Sequence, residues 1–536
     1  MFTPPLSRPP ILRRPASSQF PSTASLTLLG CCMVIMPWFS HADGAAAPDD
    51  PESRTRQLEE QIIDLENRLR KLEAVPAEEE NEDKMGALVG FARTTESTAA
   101  SRNSRVVADR VENVLGNFIN INGYFRAGYG RNSEGGPQPG FKAPGAMAKY
   151  RLGNEAENFG ELILGKNFYL PGTFAVDNNL KTSVDAQGPV AHVEVRMDFF
   201  NPHEEFSSAA NTRVGLPEAW AAVGNVLPDQ PQAKFWAGNR FYRRHDIGVI
   251  DFFFWNMSGG GGGIEDVDAG PGKVALAWIG SGATSGFSNL PQPDPENKAG
   301  FSKANYDLRW YDLPTLGGQL ELGLIYSKAT TGRDANGNSR PDTNGVAVNL
   351  VHTISGFISE DGSNKFSIQY GTEAAKTFTS GFETFVLDGA TYIQPDLPDS
   401  WRYRVTENFT ANLSDHFSLG PVLVYQVTDY GTGVGKDTWI SAGMRPIFHY
   451  NDRLSVAMEA GWDHVDSKRL NSADQLYKLT VAPQVSLGGR FSSRPAIRAY
   501  FTYAAWGDNF VGQVGGLDYA SKNHGFSFGM QMETWW

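Results

Sequence analysis

Arg244, His245, Asp246 and Asp251 crowd into one short stretch of the chain and bring a guanidinium, an imidazole and two carboxylates together. Two carboxylates near a base suggest glycoside hydrolysis, which needs its acid and base at a fixed separation across a cleft. Nothing local fixes that separation here, so a secreted carbohydrate-active β-enzyme stands as an alternative without a positive signal. The histidines show no HxxxH spacing, which argues against metal-assisted hydrolysis, and no metal or cofactor motif is found. Ser258-Gly259-Gly260-Gly261-Gly262-Gly263 invites a phosphate-loop reading, but the lysine and the following helix that such a loop requires are missing.

A second set of residues pairs rings with charges at two-residue spacing. Tyr124 shares its parity with Arg126, and Phe159 shares its parity with Arg151 and Glu161. In a strand, residues of one parity share a face. A ring on a charged face points to water rather than to lipid. The stretches that carry such patterns alternate throughout 117–536: Leu320 to Tyr326, Phe366 to Tyr370, Leu419 to Val427, Leu454 to Trp462, Leu479 to Val485, and Ile497 through Ala505. Clusters such as Asp334-Ala335-Asn336-Gly337-Asn338 separate them as turns.

Soluble sandwiches alternate too. Three features favour a closed membrane barrel, the one extended structure that pairs every backbone group in lipid. No apolar stretch after Ala42 is long enough for a spanning helix, an export signal precedes the chain, and rings gather near strand ends as interfacial girdles require. In the last strand Phe526, Phe528, Met530, Met532, Thr534 and Trp536 fall on one face and suit lipid. Ser527, Gly529, Gln531, Glu533 and Trp535 fall on the other and suit water.

The N-terminal region reads in three parts. Residues 1–42 form a signal peptide, with Arg8, Arg13 and Arg14 at its positive end, an apolar run from Ser25 to Phe39, and Ser40-His41-Ala42 as the cleavage site. A single membrane anchor and a lipoprotein site at Leu28-Leu29-Gly30-Cys31 are the alternatives. Both cysteines, Cys31 and Cys32, lie inside the signal, so the mature chain would hold no disulfide or thiolate site. Losing three arginines and no acids takes the net charge from -13 to -16, which argues against nucleic acid as a partner and leaves an acidic lumen for cations or neutral solutes open. In residues 43–76, Leu58, Ile62, Leu65, Leu69 and Leu72 trace a heptad seam, and Arg68 and Glu73 sit at g and e positions. This predicts a short oligomerising coiled-coil helix, placed in the periplasm. Residues 77–116, with the acidic run Glu78-Glu79-Glu80-Asn81-Glu82-Asp83, read as a polar linker.

Several segments in order resemble the maltoporin and sucrose-porin family. They are Asn122-Gly123-Tyr124-Phe125-Arg126-Ala127-Gly128, Lys149-Tyr150-Arg151-Leu152-Gly153-Asn154-Glu155, Trp236 through Asp246, Ile250-Asp251-Phe252-Phe253, Ser493-Arg494-Pro495-Ala496-Ile497-Arg498, and the closing Gln531-Met532-Glu533-Thr534-Trp535-Trp536. The resemblance implies an all-β, antiparallel outer-membrane barrel, a homotrimer, and an inward-folded loop that narrows each pore. Roughly 420 residues over roughly 18 strands leave about 23 for each strand and its connection, which fits tilted strands and long outer loops.

The resemblance further implies facilitated diffusion of maltodextrins, sucrose or similar oligosaccharides. Sugars would slide on an aromatic line of Tyr124, Phe159 and Trp535, with Phe206 donated by a neighbouring subunit. Arg126, Arg151, Glu161, Arg244, Asp246, Asp251 and Phe253 would form the polar track and constriction. Arg244 and Asp246 could instead brace the loop against the wall. The chain departs from the family where Phe253 replaces a tyrosine, where two further slide positions fall on Ser492 and Val348, and where Pro217 replaces an arginine. A third class, a structural or adhesive barrel, would share the fold without the transport.

Overall fold

The computed structural model describes residues 119–536 apart from 156, 170–187, 202–212, 283–301, 316, 330–331, 334–338, 341, 388–389, 395–397 and 432. The signal, the heptad segment, the linker and Phe206 lie outside the described residues.

Runs rich in residues of high β-propensity become strands. The first five are β1 (Asn120–Asn132), β2 (Asn158–Tyr169), β3 (Val190–Asn201), β4 (Arg213–Gly224) and β5 (Lys234–Arg240). Two short strands, β6 (His245–Ile247) and β7 (Phe252–Trp255), pair with each other inside the loop that follows. Then come β8 (Gly259–Asp268), β9 (Lys273–Gly282), β10 (Ser302–Thr315) and β11 (Gly318–Ala329). A small hairpin of β12 (Gly332–Arg333) and β13 (Ser339–Arg340) precedes β14 (Thr343–Ser355) and β15 (Ser363–Thr372), and another, β16 (Glu383–Leu387) with β17 (Ala390–Gln394), precedes β18 (Trp401–Ser414). The series ends with β19 (Phe417–Asp429), β20 (Lys436–His449), β21 (Leu454–Ser467), β22 (Ser472–Ser486), β23 (Ala496–Trp506) and β24 (His524–Trp535).

Leaving out the three small pairs, the strands form one 18-stranded sheet in which each pairs antiparallel with its neighbours along the chain. The sheet closes because β1 also pairs with β24, Tyr124 opposite Trp535 and Asn132 opposite Ser527. Closure leaves no edge, as a lipid environment demands. At the end where β1 starts and β24 finishes, several connections are tight turns, such as 415–416 and 450–453. At the opposite end lie the long loops 133–157, 241–258, 373–400 and 507–523.

The side chains invert the pattern of a soluble protein. On β10, Tyr306, Leu308 and Trp310 face outward and are exposed, while Lys303, Asn305, Asp307 and Arg309 face inward and are buried. On β24, Phe528 and Met530 are exposed while Ser527, Gln531 and Glu533 are buried. An apolar outer belt of this extent is untenable in water and is satisfied by acyl chains. Outward rings mark both rims: Tyr370 meets Trp401 at the long-loop end, and Phe417 meets Phe448 at the tight-turn end.

Several buried charges inside are ion-paired, and the buried Arg404 is held by neutral oxygens of Gln426, Gln369 and the Phe254 carbonyl. Arg309 donates to Asp307 at 2.7 Å and to Glu321 at 3.0 Å, and Glu459 takes Arg445 at 2.5 Å and Lys478 at 2.8 Å. Three loops fold into this polar interior. Loop 133–157 enters through Tyr150, whose hydroxyl meets Ser441 at 3.1 Å, and through Leu152, whose N–H donates to Glu459 at 3.0 Å. Loop 241–258 meets it where the Arg151 N–H donates to the Val249 carbonyl at 3.2 Å. The start of loop 373–400 pairs with that loop, since Asn256 donates its N–H to the Phe378 carbonyl at 2.9 Å.

Candidate functional site

Adjacent strands set the wall of the site. β24 supplies Trp535 and Glu533, β1 supplies Tyr124 and Arg126, β2 supplies Phe159 and Glu161, and β3 supplies Arg196. The register places Tyr124 between Trp535 and Glu161, and Arg126 between Glu533 and Phe159. Tyr124 therefore lies 6.4 Å from Trp535 with ring planes only 15° apart, and 5.9 Å from Phe159. The three rings are contiguous, and all face inward.

Guanidinium groups sit between the rings. Arg126 lies 4.8 Å over Phe159 and donates to Glu157 at 2.6 Å. Arg151 reaches the wall from loop 133–157, donating to the Tyr124 hydroxyl at 2.7 Å and to Glu155 at 3.0 Å. Its place in a loop removes the strand-parity reason for grouping it with Phe159; the inward fold of the loop brings it there instead. Tyr124 in turn donates to Glu533 at 3.1 Å, and Glu533 also takes Arg494 at 2.9 Å and Arg498 at 3.3 Å. Glu161 accepts from Arg196 at 2.9 Å, and Arg196 also pairs with Glu218.

Loop 241–258 forms the facing side. Phe241 is tied to the wall by its N–H to Glu218 at 2.6 Å and by Arg196 over its ring at 4.9 Å. Arg244 lies 3.7 Å from the Phe241 ring centroid and 4.5 Å from that of Phe253. Asp246 is the strand partner of Phe253, and Asp251, exposed, holds a left-handed backbone with φ of 53°. Among the described residues, no protein group hydrogen-bonds or ion-pairs with the side chains of Arg244, Asp246 or Asp251.

The bracing of this loop is done by other residues, through its carbonyls. Arg309 donates to the Arg243 carbonyl at 2.7 Å, Arg404 to that of Phe254 at 2.7 Å, and Arg445 to that of Val249 at 3.3 Å. All three reach inward from β10, β18 and β20. The loop is thus pressed against that half of the wall, and inward side chains there are buried: Arg309 is 0% and Arg404 1% exposed. On the β24–β1–β2–β3 side the inward residues Tyr124, Arg126, Phe159, Glu161 and Arg196 stay partly accessible, and Trp535 is 42% exposed. The water-accessible passage therefore runs between this wall and the free edge of the loop.

The charges around the passage nearly balance. Lys149, Arg126, Arg151, Arg196, Arg244, Arg494 and Arg498 stand among Glu155, Glu157, Glu161, Glu218, Glu533, Asp246 and Asp251. Burial opposes the charge on Glu155, but Arg151, Arg126 and Lys149 outweigh it and hold its carboxyl below the ordinary value.

The residues expected from the sequence thus gather in one place, Phe206 excepted as undescribed. Two departures resolve differently. Val348 faces lipid at 51% exposure, because the alternation of β14 turns Ala347 and Asn349 inward instead, so it is no slide position. Pro217 lies within β4, where its carbonyl accepts from Asn239 at 3.2 Å. Sequence reasoning did not single out Glu533, Arg196, Glu218, Phe241, Glu155 or Arg494 as site residues. Parity marked Glu533 as inward, but parity alone does not separate a passage residue from a buried brace such as Arg404.

The fold and the site can be set beside known proteins. Three solved structures are similar to the chain. OprB from Pseudomonas putida is 10% identical, with 80% of this chain and 97% of that chain covered and a TM-score of 0.38. The anion-selective porin from Comamonas acidovorans is 11% identical, with 78% and 99% covered and a TM-score of 0.33. OmpT from Vibrio cholerae is 8% identical, with 78% and 99% covered and a TM-score of 0.29. The LamB porin family model matches residues 119–536. With a closed 18-stranded barrel, an apolar outer belt and an inward loop beside a polar passage, the chain belongs to the LamB porin family and is an outer-membrane porin.

Proposed function

We propose that the passage carries neutral, hydroxyl-rich solutes, namely maltodextrins, sucrose or similar oligosaccharides, by facilitated diffusion. The observation that carries this reading is the inward strip of Trp535, Tyr124 and Phe159, with neighbouring ring centroids 6.4 Å and 5.9 Å apart. Rings on a wetted wall have no lipid to face, and the CH-rich side of a sugar is a natural partner for them. The hydroxyls at the sugar's edge must not go unpaired in a narrow space. Arg244, Asp246 and Asp251 hold donors and acceptors that no described protein group uses. The near balance of charge weakens any net preference for cations or anions, and favours an uncharged ligand that reads individual groups. Similar weak sites in series allow entry without trapping.

On this reading Phe253 supports the constriction as an apolar flank for Arg244 and offers no hydroxyl of its own. The working unit is a homotrimer, as the family resemblance implies, with Phe206 offered by a neighbouring subunit. Single-channel conductance in a planar bilayer, with maltotriose, maltohexaose and sucrose added in turn, tests the proposal. Concentration-dependent block by one or more of these sugars is expected. A conducting channel that none of them blocks would remove the sugar reading and leave a general porin or a structural barrel. Sugar hydrolysis by the purified protein would restore the enzyme alternative.

A further inference from the structure

The tight-turn end of the barrel contains one connection that does not simply join its strands. Residues 487–495, between β22 and β23, fold back across the barrel mouth. The Phe491 N–H donates to the Asn412 side-chain oxygen on β18 at 2.9 Å. Its ring rests against β19 at Gly420, where a Cβ would stand 2.6 Å from the ring. No larger residue fits at that position without displacing the ring. At the turn's outer surface Arg490 faces Asp361, in the turn 356–362, at 3.6 Å. The turn is therefore tied to strands that are not its own.

Its other end carries Arg494. This side chain donates to Glu533 at 3.1 Å through Nε and to the Ser493 carbonyl at 2.9 Å through Nη1, and its Nη2 lies 2.9 Å from the same Glu533 oxygen in an ion pair. With its donors fixed in this plane, the guanidinium lies 4.0 Å over the Trp535 ring. Arg494 is 9% exposed by side chain, whereas Trp535 is 42% exposed. One part of the indole is covered by a cation that is itself locked, and the remainder stays open to the passage.

We propose that the 487–495 turn is a second specificity element at the tight-turn end of the passage, in which Arg494 is the positioning residue that fixes the orientation of Trp535 for the passing ligand. A planar guanidinium held by a carboxylate restricts an aromatic ring in a way that a lysine ammonium does not. Phe491 sets the height of the turn, and Glu533 sets the plane of Arg494. Arg494 itself need not touch the sugar. The inference rests on the sugar-porin reading for its functional consequence, but its structural content is independent of any ligand.

The test uses the full-length porin in two arms. In the first, tryptophans are labelled with 5-fluorotryptophan and the Trp535 signal is assigned by its loss in Trp535→Phe. Arg494→Gln and Arg494→Lys are expected to shift or broaden that signal while the signals of Trp439 and Trp278, on distant strands, stay in place. In the second arm, block by maltohexaose is expected to weaken on the order of fivefold in Arg494→Gln, as for loss of most of the stacking contribution of a misoriented Trp535 ring. In a Trp535→Ala background the same substitution is expected to add nothing. Should Arg494→Gln fail to assemble, Arg494→Lys, which keeps the charge opposite Glu533, supplies both readouts. An unmoved Trp535 signal would overturn the proposal, as would equal weakening of block with and without Trp535. A wild-type channel that no sugar blocks, combined with a Trp535 signal that responds to Arg494, would sink the sugar reading and leave the positioning role standing.

Discussion

Replacing Arg244 with alanine separates a ligand-binding role from a bracing one. The rings of Phe241 and Phe253 approach its guanidinium at 3.7 Å and 4.5 Å, leaving the edge donors as its free valence. Those donors have no partner among the described residues, so removing them strands no buried acceptor. The loop keeps its anchors, because Arg309, Arg404 and Arg445 hold its carbonyls independently. The barrel should therefore assemble normally. On the sugar reading, what is lost is a charged donor to a sugar hydroxyl, about 1.5–3 kcal/mol. At 1.4 kcal/mol per decade this corresponds to roughly 10- to 100-fold weaker binding. Arg244→Lys keeps the charge but not the planar fork, and should fall between the two. Sugar-induced block of single channels measures the binding constant, and heat-modifiable electrophoresis checks the fold. An unchanged block constant in a properly folded Arg244→Ala channel would refute the reasoning. So would a loss of barrel stability, which would mean the side chain braces the loop after all.

Trp535→Ala removes one ring of the strip. The stacking contribution of about 0.5–1.5 kcal/mol predicts sugar block roughly 2- to 10-fold weaker, a larger change than in ion conductance; equal block would put the ring outside the path. Met530→Arg places a charge on the lipid-facing side of β24, where Met530 is 62% exposed. A loss of about 2–4 kcal/mol is expected in urea unfolding from lipid vesicles, and an unaltered midpoint would contradict the assigned orientation of the strand. Glu155 gives a pH signature. Its carboxyl is held below the ordinary value, so its contribution is complete above the unfolded value of about 4.3 and is lost as pH falls through the lower folded value. The stability gap between the wild type and Glu155→Gln should hold steady from neutral pH to about pH 5 and close only in acid. A gap that closes near neutrality would reverse the assigned direction.

The barrel was legible in the sequence because its signal is redundant. A period-two pattern repeated over many strands survives local exceptions, and Phe526 through Trp535 alone revealed which face meets lipid. The passage was legible only in part. Strand parity identified Tyr124, Arg126 and Trp535 as inward, but inward residues divide into those under the loop and those beside it. Arg404 and Arg126 carry the same local signature, yet Arg404 is 1% exposed and Arg126 is partly open. What decides between them is the course of loop 241–258, set by contacts to strands 60 or more residues away in sequence, such as Arg309 to Arg243 with a separation of 66. No short-range pattern encodes that. Val348 shows the complementary failure. A position carried over from a resemblance can slip by one residue, and in a strand one residue exchanges lumen for lipid.

The manner in which the constricting loop is held bears on why its side chains are available at all. A loop inside a barrel must have its buried backbone groups paired. Here the wall supplies the donors, and arginines from β10, β18 and β20 take the carbonyls of Arg243, Phe254 and Val249. Each such arginine is buried, so it holds the backbone without entering the passage. The loop's own charged groups at 244, 246 and 251 are then released from structural duty. The division of labour has a physical consequence: the constriction can change its side chains without losing its shape. Phe253 in place of a tyrosine fits that freedom, since its ring still flanks Arg244 at 4.5 Å while the hydroxyl is given up. Selectivity in this porin is accordingly expected to be tuned by substitution at these few free positions, and to be insensitive to changes at Arg309 or Arg404 short of those that unpin the loop.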